Sequence, residues 1–439
     1  MPAKTAPKKL RFLQLVFIIF FTVSGGPYGL EPLLTYAGEH GALLLLIVTP
    51  LLWDVPAIFT VMELNSMMPV TGGYYEWVKY ALGSRWGFYE GWWTWIYTFV
   101  DLAIYPVLFV GYASYFLPGL EHHKILVCLA VIWSLAGLNI LGIVQVGRAS
   151  VLFSVLVLSP FLILFVLAIS KHGLGHIPQP SLQGISFPSL GMALYTVMWN
   201  CLGWDNITTY APEVEKPVRS YLKAIAIAFG LVMVVYVLAI WIALQSGVSA
   251  QLLTDKGFPL LGTSLGGHWL GALFALGGMA SGLGIYTAVL LSVSRIPQAM
   301  ATDNLLPAYL HRLHPRFHTP YVSIILCSII VSFMVLWTFS ELLIIDVTVY
   351  GAGLALEYIT LITLRLKEPD RPRPFKIPLS ISGLCIVLLL PLSVYIIALV
   401  AAFNSDGSGV KPAMFAMAAL LTAELAWQLA KTRKAAIMS

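Results

Sequence analysis

FFTVSGGPYGLEP, residues 20–32, interrupts a stretch that otherwise reads as a first membrane-crossing helix. Ser24, the adjacent glycines Gly25 and Gly26, Pro27 and Gly29 break the apolar run, and Glu31 follows with a carboxylate. A second interruption, MWNCLGWDNITTY at 198–210, sets Asn200, Gly203, Asp205 and Asn206 inside another apolar stretch. Non-helical backbone at membrane depth survives only where protein or a water-filled cavity satisfies its polar groups. One glycine-rich kink reads as packing, because glycine is common in membrane helices. Two breaks at corresponding positions, five spans apart, read differently. An odd separation makes the units they begin run in opposite directions, the pattern of an inverted-repeat transporter with five spans plus five and two appended.

Composition places the chain in a bilayer. Of its 439 residues 59% are hydrophobic and 10% charged, with mean hydropathy +0.86, whereas a soluble domain carries about 25% charged residues. Cys128, Cys201, Cys327 and Cys385 all lie in apolar runs, which argues against a disulfide framework. The head MPAKTAPKKLR imitates a signal peptide, but the first helix is needed for a consistent topology. The net charge of +5 sits in short loops rather than in a nucleic-acid patch. No phosphate loop, no HExxH and no zinc-finger cysteine spacing occurs, so no enzyme, cofactor or metal is expected.

Spans of about 20 apolar residues fall at 11–36, 42–67, 86–116, 124–143, 149–169, 189–211, 220–246, 268–298, 320–338, 342–364, 377–402 and 411–430. The expected organisation is a tail at 1–10, a first five-helix repeat at 11–169 and a second, inverted one at 189–364. The last two spans follow at 377–430, then a tail at 431–439. Amphipathic surface helices are predicted at 71–83 and 303–314. With the N-terminus inside, 21 of the 25 Lys and Arg are cytoplasmic, leaving Lys124, Lys171, Lys256 and Lys411 outside. Both termini are then cytoplasmic, and the expected location is the plasma membrane.

The break at 24–29 frees backbone amides at the start of the second half-helix, where an anion such as a carboxylate is favoured. It also frees the carbonyls of Phe21, Thr22 and Val23, and the break near Trp199 and Asn200 offers carbonyls to an ammonium. Gly25 and Gly26 allow close approach where a side chain would block it. Gly26→Leu is therefore expected to abolish binding while leaving the chain folded.

SGGPYGLEP (24–32), MELNSMMPVTGGYYEWV (62–78) and WDNITTYAPEVEKP (204–217) resemble the amino acid–polyamine–organocation transporters. VDLAIYPVLFVGY (100–112), ATDNLLP (301–307), LEYITLITLRLK (356–367) and RPRPFKIP (371–378) resemble the polyamine-uptake branch and its L-type amino-acid relatives. The resemblance covers spans one to eleven. It implies an all-α membrane protein with a LeuT-like inverted repeat and a central site between spans one, three, six, eight and ten. It further implies movement of amino acids or amines, generally with protons. There are departures. Ser24-Gly25-Gly26-Pro27 replaces the family's commonest Gly-Ser-Gly break, and 151–169 lacks the lysine that some proton-coupled relatives carry in span five. Ser154, Ser159 and Ser281 fall where sodium-coupled relatives of the fold hold an ion; serine in a membrane helix otherwise packs or bonds backbone.

Glu31, Asp54, Asp101, Asp205 and Glu357 lie inside spans with no Lys or Arg at similar depth. Each ionised side chain costs roughly 2.5–3.5 kcal/mol there, so each lines water, meets a cation or is protonated. Asp205 and Asp101 are substrate or coupling candidates. Glu31, one and a half turns outside the break, is a candidate to gate entry or recruit amines. Asp54 and Glu357 also suit hydrogen-bonded packing. Glu63 and Glu213 end spans two and six on the inner side, where Arg219 and Lys223 could pair with them as a gate, the alternative being solvated loop charges. Trp204 could close over substrate or simply pack, and Trp92, Trp93 and Trp95 read as a structural cluster. His311, His314 and His318 suggest a metal only until Pro315 breaks their helix; a basic loop is expected.

The function expected is proton-coupled symport of an amino acid or polyamine by alternating access. An amine or amino-acid exchanger and a transport-inactive sensor are the alternatives. Acids without a fixed base favour polyamines or cationic amino acids over neutral ones. No obligatory protein partner is expected.

Overall fold

The computed structural model describes residues 9–172, 178–335, 339–404 and 410–438. Among these the regular elements are helices, with two isolated β-bridges besides. The first five α-helices are α1 (Phe12–Val23), α2 (Pro32–Leu52), α3 (Asp54–Met67), α4 (Gly73–Leu82) and α5 (Ser84–Ala113). Then come α6 (Lys124–Ile140), α7 (Ile143–His172), α8 (Phe187–Trp199), α9 (Pro217–Gln245), α10 (Ala250–Gly266) and α11 (His268–Val293). The chain ends with α12 (Arg295–Thr302), α13 (Tyr321–Met334), α14 (Phe339–Lys367), α15 (Ile381–Phe403) and α16 (Val410–Met438).

Nine helical stretches among the described residues are long and apolar enough to cross a membrane. Three apolar helices are shorter: α1 with 12 residues, α8 with 13 and α13 with 14. At 1.5 Å per residue α1 reaches only about 18 Å, against a hydrocarbon core of about 30 Å. Helices α1 and α8 end where spans one and six were expected to break. After α1 the chain is irregular to Glu31, and α2 itself kinks at Gly38 (φ 64°, ψ −175°). The predicted span 42–67 is two helices. Pro56 has no N–H and its ring crowds the carbonyl of Leu52, and the chain steps from α2 to α3 at Trp53 (φ −98°, ψ −57°).

The surface helix expected at 71–83 is α4. The one expected at 303–314 is displaced: α12 closes at Thr302, and 303–314 holds a single 3-10 turn, Ala308–His311. Asn304 in the left-handed region (φ 60°) and Pro307 stop helix propagation between them. Helix α10 lay in a segment read as loop; Ser249 caps it, its Oγ accepting from the Leu252 amide at 3.3 Å.

Burial sorts the long helices. In their most apolar windows α5, α11–α12 and α14 bury 72%, 78% and 83% of residues, whereas α7 and α15 bury 33% and α16 28%. The first set forms the centre and the second the perimeter, where Leu421, Leu425 and Leu429 line one exposed side of α16 as a lipid-facing helix requires. Central helices approach through glycine: a Cβ at Gly278 would stand 2.4 Å from the Tyr112 ring, and one at Gly284 would stand 2.4 Å from Phe21. Trp92, Trp93 and Trp95 pack as a cluster, with Trp92 and Trp93 donating to Thr422 Oγ1 and the Leu420 carbonyl of α16.

Candidate functional site

The first break satisfies most of its own amides. Ser24 N and Gly25 N both donate to the Phe20 carbonyl (2.9 and 3.0 Å), Gly26 N to Ser24 Oγ (3.0 Å) and Leu30 N to the Pro27 carbonyl (3.0 Å). Gly29 N donates to Glu31 Oε2 at 2.6 Å, and the other carboxylate oxygen receives the Tyr112 hydroxyl at 2.7 Å. Glu31 therefore does not stand a turn and a half beyond the break. It is the residue on which α2 starts, and its carboxylate turns back onto the unwound backbone, as an anion at a helix N-terminus should. Helix α10 covers it: the Cβ position of Gly257 lies 3.3 Å from Glu31 Oε1. The Tyr28 ring meets Tyr112, Phe161 and Phe258 edge-to-face on the same side.

The carbonyls of the break are treated oppositely. Among the described residues no donor reaches the carbonyl oxygens of Phe21, Thr22 or Val23, although all three residues are buried. Gly203 (φ +98°) presses against them, its Cβ position 3.0 Å from the Thr22 oxygen, so only glycine fits.

Gly26 corrects another expectation. Its φ is +100° and its Cβ position lies 2.7 Å from Val157 Cγ1 of α7, so it packs on a neighbouring helix rather than beside an open space. Gly26→Leu, or even Gly26→Ala, should lower the folded yield itself, measured as monodisperse protein after size exclusion. A monodisperse variant with normal thermal stability would contradict this packing role.

The second break begins after Trp199. The Asn200 side chain donates to the carbonyls of Thr196 (2.8 Å) and Gly29 (3.3 Å), tying one break to the other. The Tyr236 hydroxyl lies 2.6 Å from the Asn200 carbonyl and 2.7 Å from Ser24 Oγ. Beyond Asp205 the predicted span 189–211 does not resume as α-helix. Two 3-10 turns follow, Asn206–Thr209 and Ala211–Glu213, with Thr208 and Thr209 hydroxyls bonding the carbonyls of Asp205 and Asn206. Trp204 is held away from a gating role in this conformation: its Nε1 donates to Asp54 Oδ1 (3.2 Å) and its ring meets Phe229. Asp54 is thereby a hydrogen-bonded packing residue.

Two acids that the expectation omitted, Glu90 and Asp346, are as buried as the five it named, all seven being at most 5% exposed. The rule that singled out the five, an acid inside a span, picks these as well. Their spacing is informative. Glu90 and Asp101 on α5, and Asp346 and Glu357 on α14, are each eleven residues apart, three turns along one helix face. Asp101 receives the Tyr105 hydroxyl and Trp199 Nε1 (3.3 Å), and the Tyr105 and Trp199 rings stack (6.2 Å, 22°). Asp346 opposes Asp101, with no donor on either oxygen. One storey away Asp205 receives the Tyr350 hydroxyl (2.9 Å), beside Glu90 and Glu357. None of the seven acids takes part in an ion pair among the described residues.

Ser154, which donates to the Ser150 carbonyl, and Ser159 both line a lateral groove with Phe17 and Leu162, whereas Ser281 Oγ, unpartnered, sits near Gly25. His314 accepts from the amides of Arg316 and Phe317; His311, His314 and His318 form no metal-binding group.

The ends of α3 and of the second break are held by ion pairs, with partners other than those expected. Glu63, fully buried, takes Arg365 Nε (2.8 Å) and Nη2, the Ile377 amide (2.8 Å) and Arg373 at 3.3 Å. Glu213 takes Arg295 through two bonds of 3.0 and 3.1 Å. Arg219 and Lys223 are involved in neither pair. Leu10 exchanges backbone bonds with Glu213 and Glu215, pinning the start of α1 to the end of the second break. In the loop after α14 the Tyr80 hydroxyl and Arg371 hold Glu368 below the usual carboxylate range.

Two unwound segments in contact, set among buried unpaired acids and closed by ion pairs at one end, are the parts of a membrane permease. The chain belongs to the amino acid permease family, whose model matches residues 10–423. It is 32% identical over 427 residues to polyamine transporter RMV1 of Arabidopsis thaliana, covering 96% of this chain and 85% of that protein. Polyamine transporter PUT1 of Oryza sativa subsp. japonica is 31% identical, over 89% of this chain and 73% of its own. An uncharacterized transporter of Mycobacterium tuberculosis is 30% identical over 65% of this chain. The protein is a multi-pass membrane transporter.

Proposed function

We propose that this permease moves polyamines or similar organic cations inward by proton-coupled symport and alternating access, at the plasma membrane. In this reading α1, α8 and α13 complete a set of twelve spans in a LeuT-like inverted repeat with both termini cytoplasmic. The central site draws on the break carbonyls, Asp101 and Asp346.

One observation carries the substrate class: at the first break most amides have internal partners, whereas the carbonyls of Phe21, Thr22 and Val23 have none among the described residues. A zwitterionic amino acid needs donors for its carboxylate, and Glu31 already occupies Gly29 N in that role. An ammonium needs only acceptors, which the Phe21, Thr22 and Val23 carbonyls and the acids supply. The plant relatives, named as polyamine transporters, point the same way.

The test is uptake of radiolabelled spermidine and putrescine into proteoliposomes, with and without an imposed inward proton gradient. Gradient-stimulated accumulation, competed by amines and not by leucine, is the expected result. Uptake seen only in vesicles preloaded with amine would make the protein an exchanger. Uptake competed by leucine and not by amines would overturn the substrate class.

A further inference from the structure

We propose that Glu357, with Glu90 and Asp205, forms a station that carries the coupling proton, distinct from the site that holds the organic cation. The proposal rests on the transport reading above and adds the residues that take the driving ion.

The three carboxyls come from α14, α5 and the second break. Glu357 is fully buried, with Asp205 and Glu90 as its charged neighbours, and neither of its oxygens receives a donor. Glu90 Oε2 is likewise without a donor, and Glu90 Oε1 lies 2.9 Å from the Cβ position of Gly353, one turn from Glu357. The titratable groups facing the cluster are hydroxyls and one more acid. Tyr350 donates to Asp205; Tyr74 and Tyr97 both donate to Asn206 Oδ1 at 3.0 Å; Tyr358 and Asp54 complete the set. No Lys, Arg or His among the described residues pairs with these acids.

Geometry chooses the cation. An ammonium bridging two carboxylates needs about 2.8 Å to each oxygen, which holds the oxygens well apart. Buried carboxyls clustered with no donor on Glu357 and no basic partner are neutralised most simply by a proton, so a proton is the cation this cluster accepts. The Tyr97–Tyr350 edge-to-face pair (5.3 Å, 86°) stands between this storey and the Asp101–Asp346 storey, which keeps the stations separate.

Coupling has a short path. Gly203, which presses on the Thr22 carbonyl, donates its amide to the Tyr350 hydroxyl (3.3 Å), and that hydroxyl donates to Asp205. A cation drawn to the Thr22 carbonyl thus acts on the same segment that supports the proton-bearing pair. One proton enters the Asp205–Glu357 pair while the outer side is open and leaves to the cytoplasm when the inner side opens.

Glu357→Gln tests this, since glutamine keeps the volume and fixes the neutral form. Wild type and variant are reconstituted and assayed for gradient-driven spermidine accumulation, for spermidine exchange at equal pH, and, in detergent, for protons bound between alkaline and mildly acidic pH. The variant should lose accumulation by on the order of tenfold or more, the scale of a coupling free energy. It should keep exchange, and it should bind one proton fewer. Unchanged accumulation or an unchanged proton count overturns the proposal. Loss of exchange together with accumulation would place Glu357 in the amine site and overturn it too. Failure of the wild type to exchange spermidine would instead strike the substrate reading, while the proton count still decides the station.

Discussion

Asp101→Asn should lower amine uptake by about 10- to 150-fold, the effect of losing a charge-assisted hydrogen bond worth roughly 1.5–3 kcal/mol. Asp101 lies midway along α5, 2% exposed, against Trp199 at the start of the second break. Asparagine keeps the shape and an oxygen for the Trp199 N–H, so the Tyr105–Trp199 stack survives and the fold should persist. What disappears is the negative charge that, with Asp346, faces the incoming ammonium. Initial rates for putrescine, spermidine and leucine, beside thermal unfolding of each protein, make the comparison. Neutral-amino-acid uptake that ignores the substitution, with no amine uptake in the wild type, would return the chain to the L-type reading.

The second large effect concerns the buried ion pair at the end of α3. Arg365→Met removes the main partner of a fully buried Glu63, and breaking such a pair from one side costs about 3–5 kcal/mol because a buried charge is left uncompensated. Arg373 at 3.3 Å and the Ile377 amide remain, yet Arg365 supplies two of the bonds to that carboxylate and also holds the carbonyls of Ile377 and Leu379. The variant should show a markedly lower melting temperature in detergent. The double variant Glu63→Gln/Arg365→Met should recover much of it, since neither charge is then buried alone. A single variant that melts with the wild type would mean that Glu63 is reached by water.

Much of the fold was legible because bilayer chemistry writes it locally. Gly25-Gly26-Pro27 and Gly203 announce unwinding by themselves, and the surface helix α4 is visible in its own pattern. Less legible were features that depend on distant residues. Glu31 turns back on the break because Tyr112, 81 positions on, and Gly257 of α10 enclose it. Glu63 pairs with Arg365 across 302 positions, and Glu213 pairs with Arg295 rather than with the nearby cations Arg219 and Lys223. Gly26 looked like room for a ligand and is room for Val157. Asp346 and Glu90 were readable by the rule already in use; what marks them is the shared eleven-residue interval, which means little until α5 and α14 are known to lie side by side.

Tyr236 has one hydrogen to give and two acceptors within reach, Ser24 Oγ in one broken span and the Asn200 carbonyl in the other. Only one can take it at a time, and Ser24, which carries a hydroxyl hydrogen of its own, can make the other bond by donating to the phenol oxygen. The phenol thus bridges the two broken spans, and parting them would leave a buried polar group without its partner. A bridge of this kind resists separation of the two breaks, which is what a carrier needs to keep a gradient from draining through it.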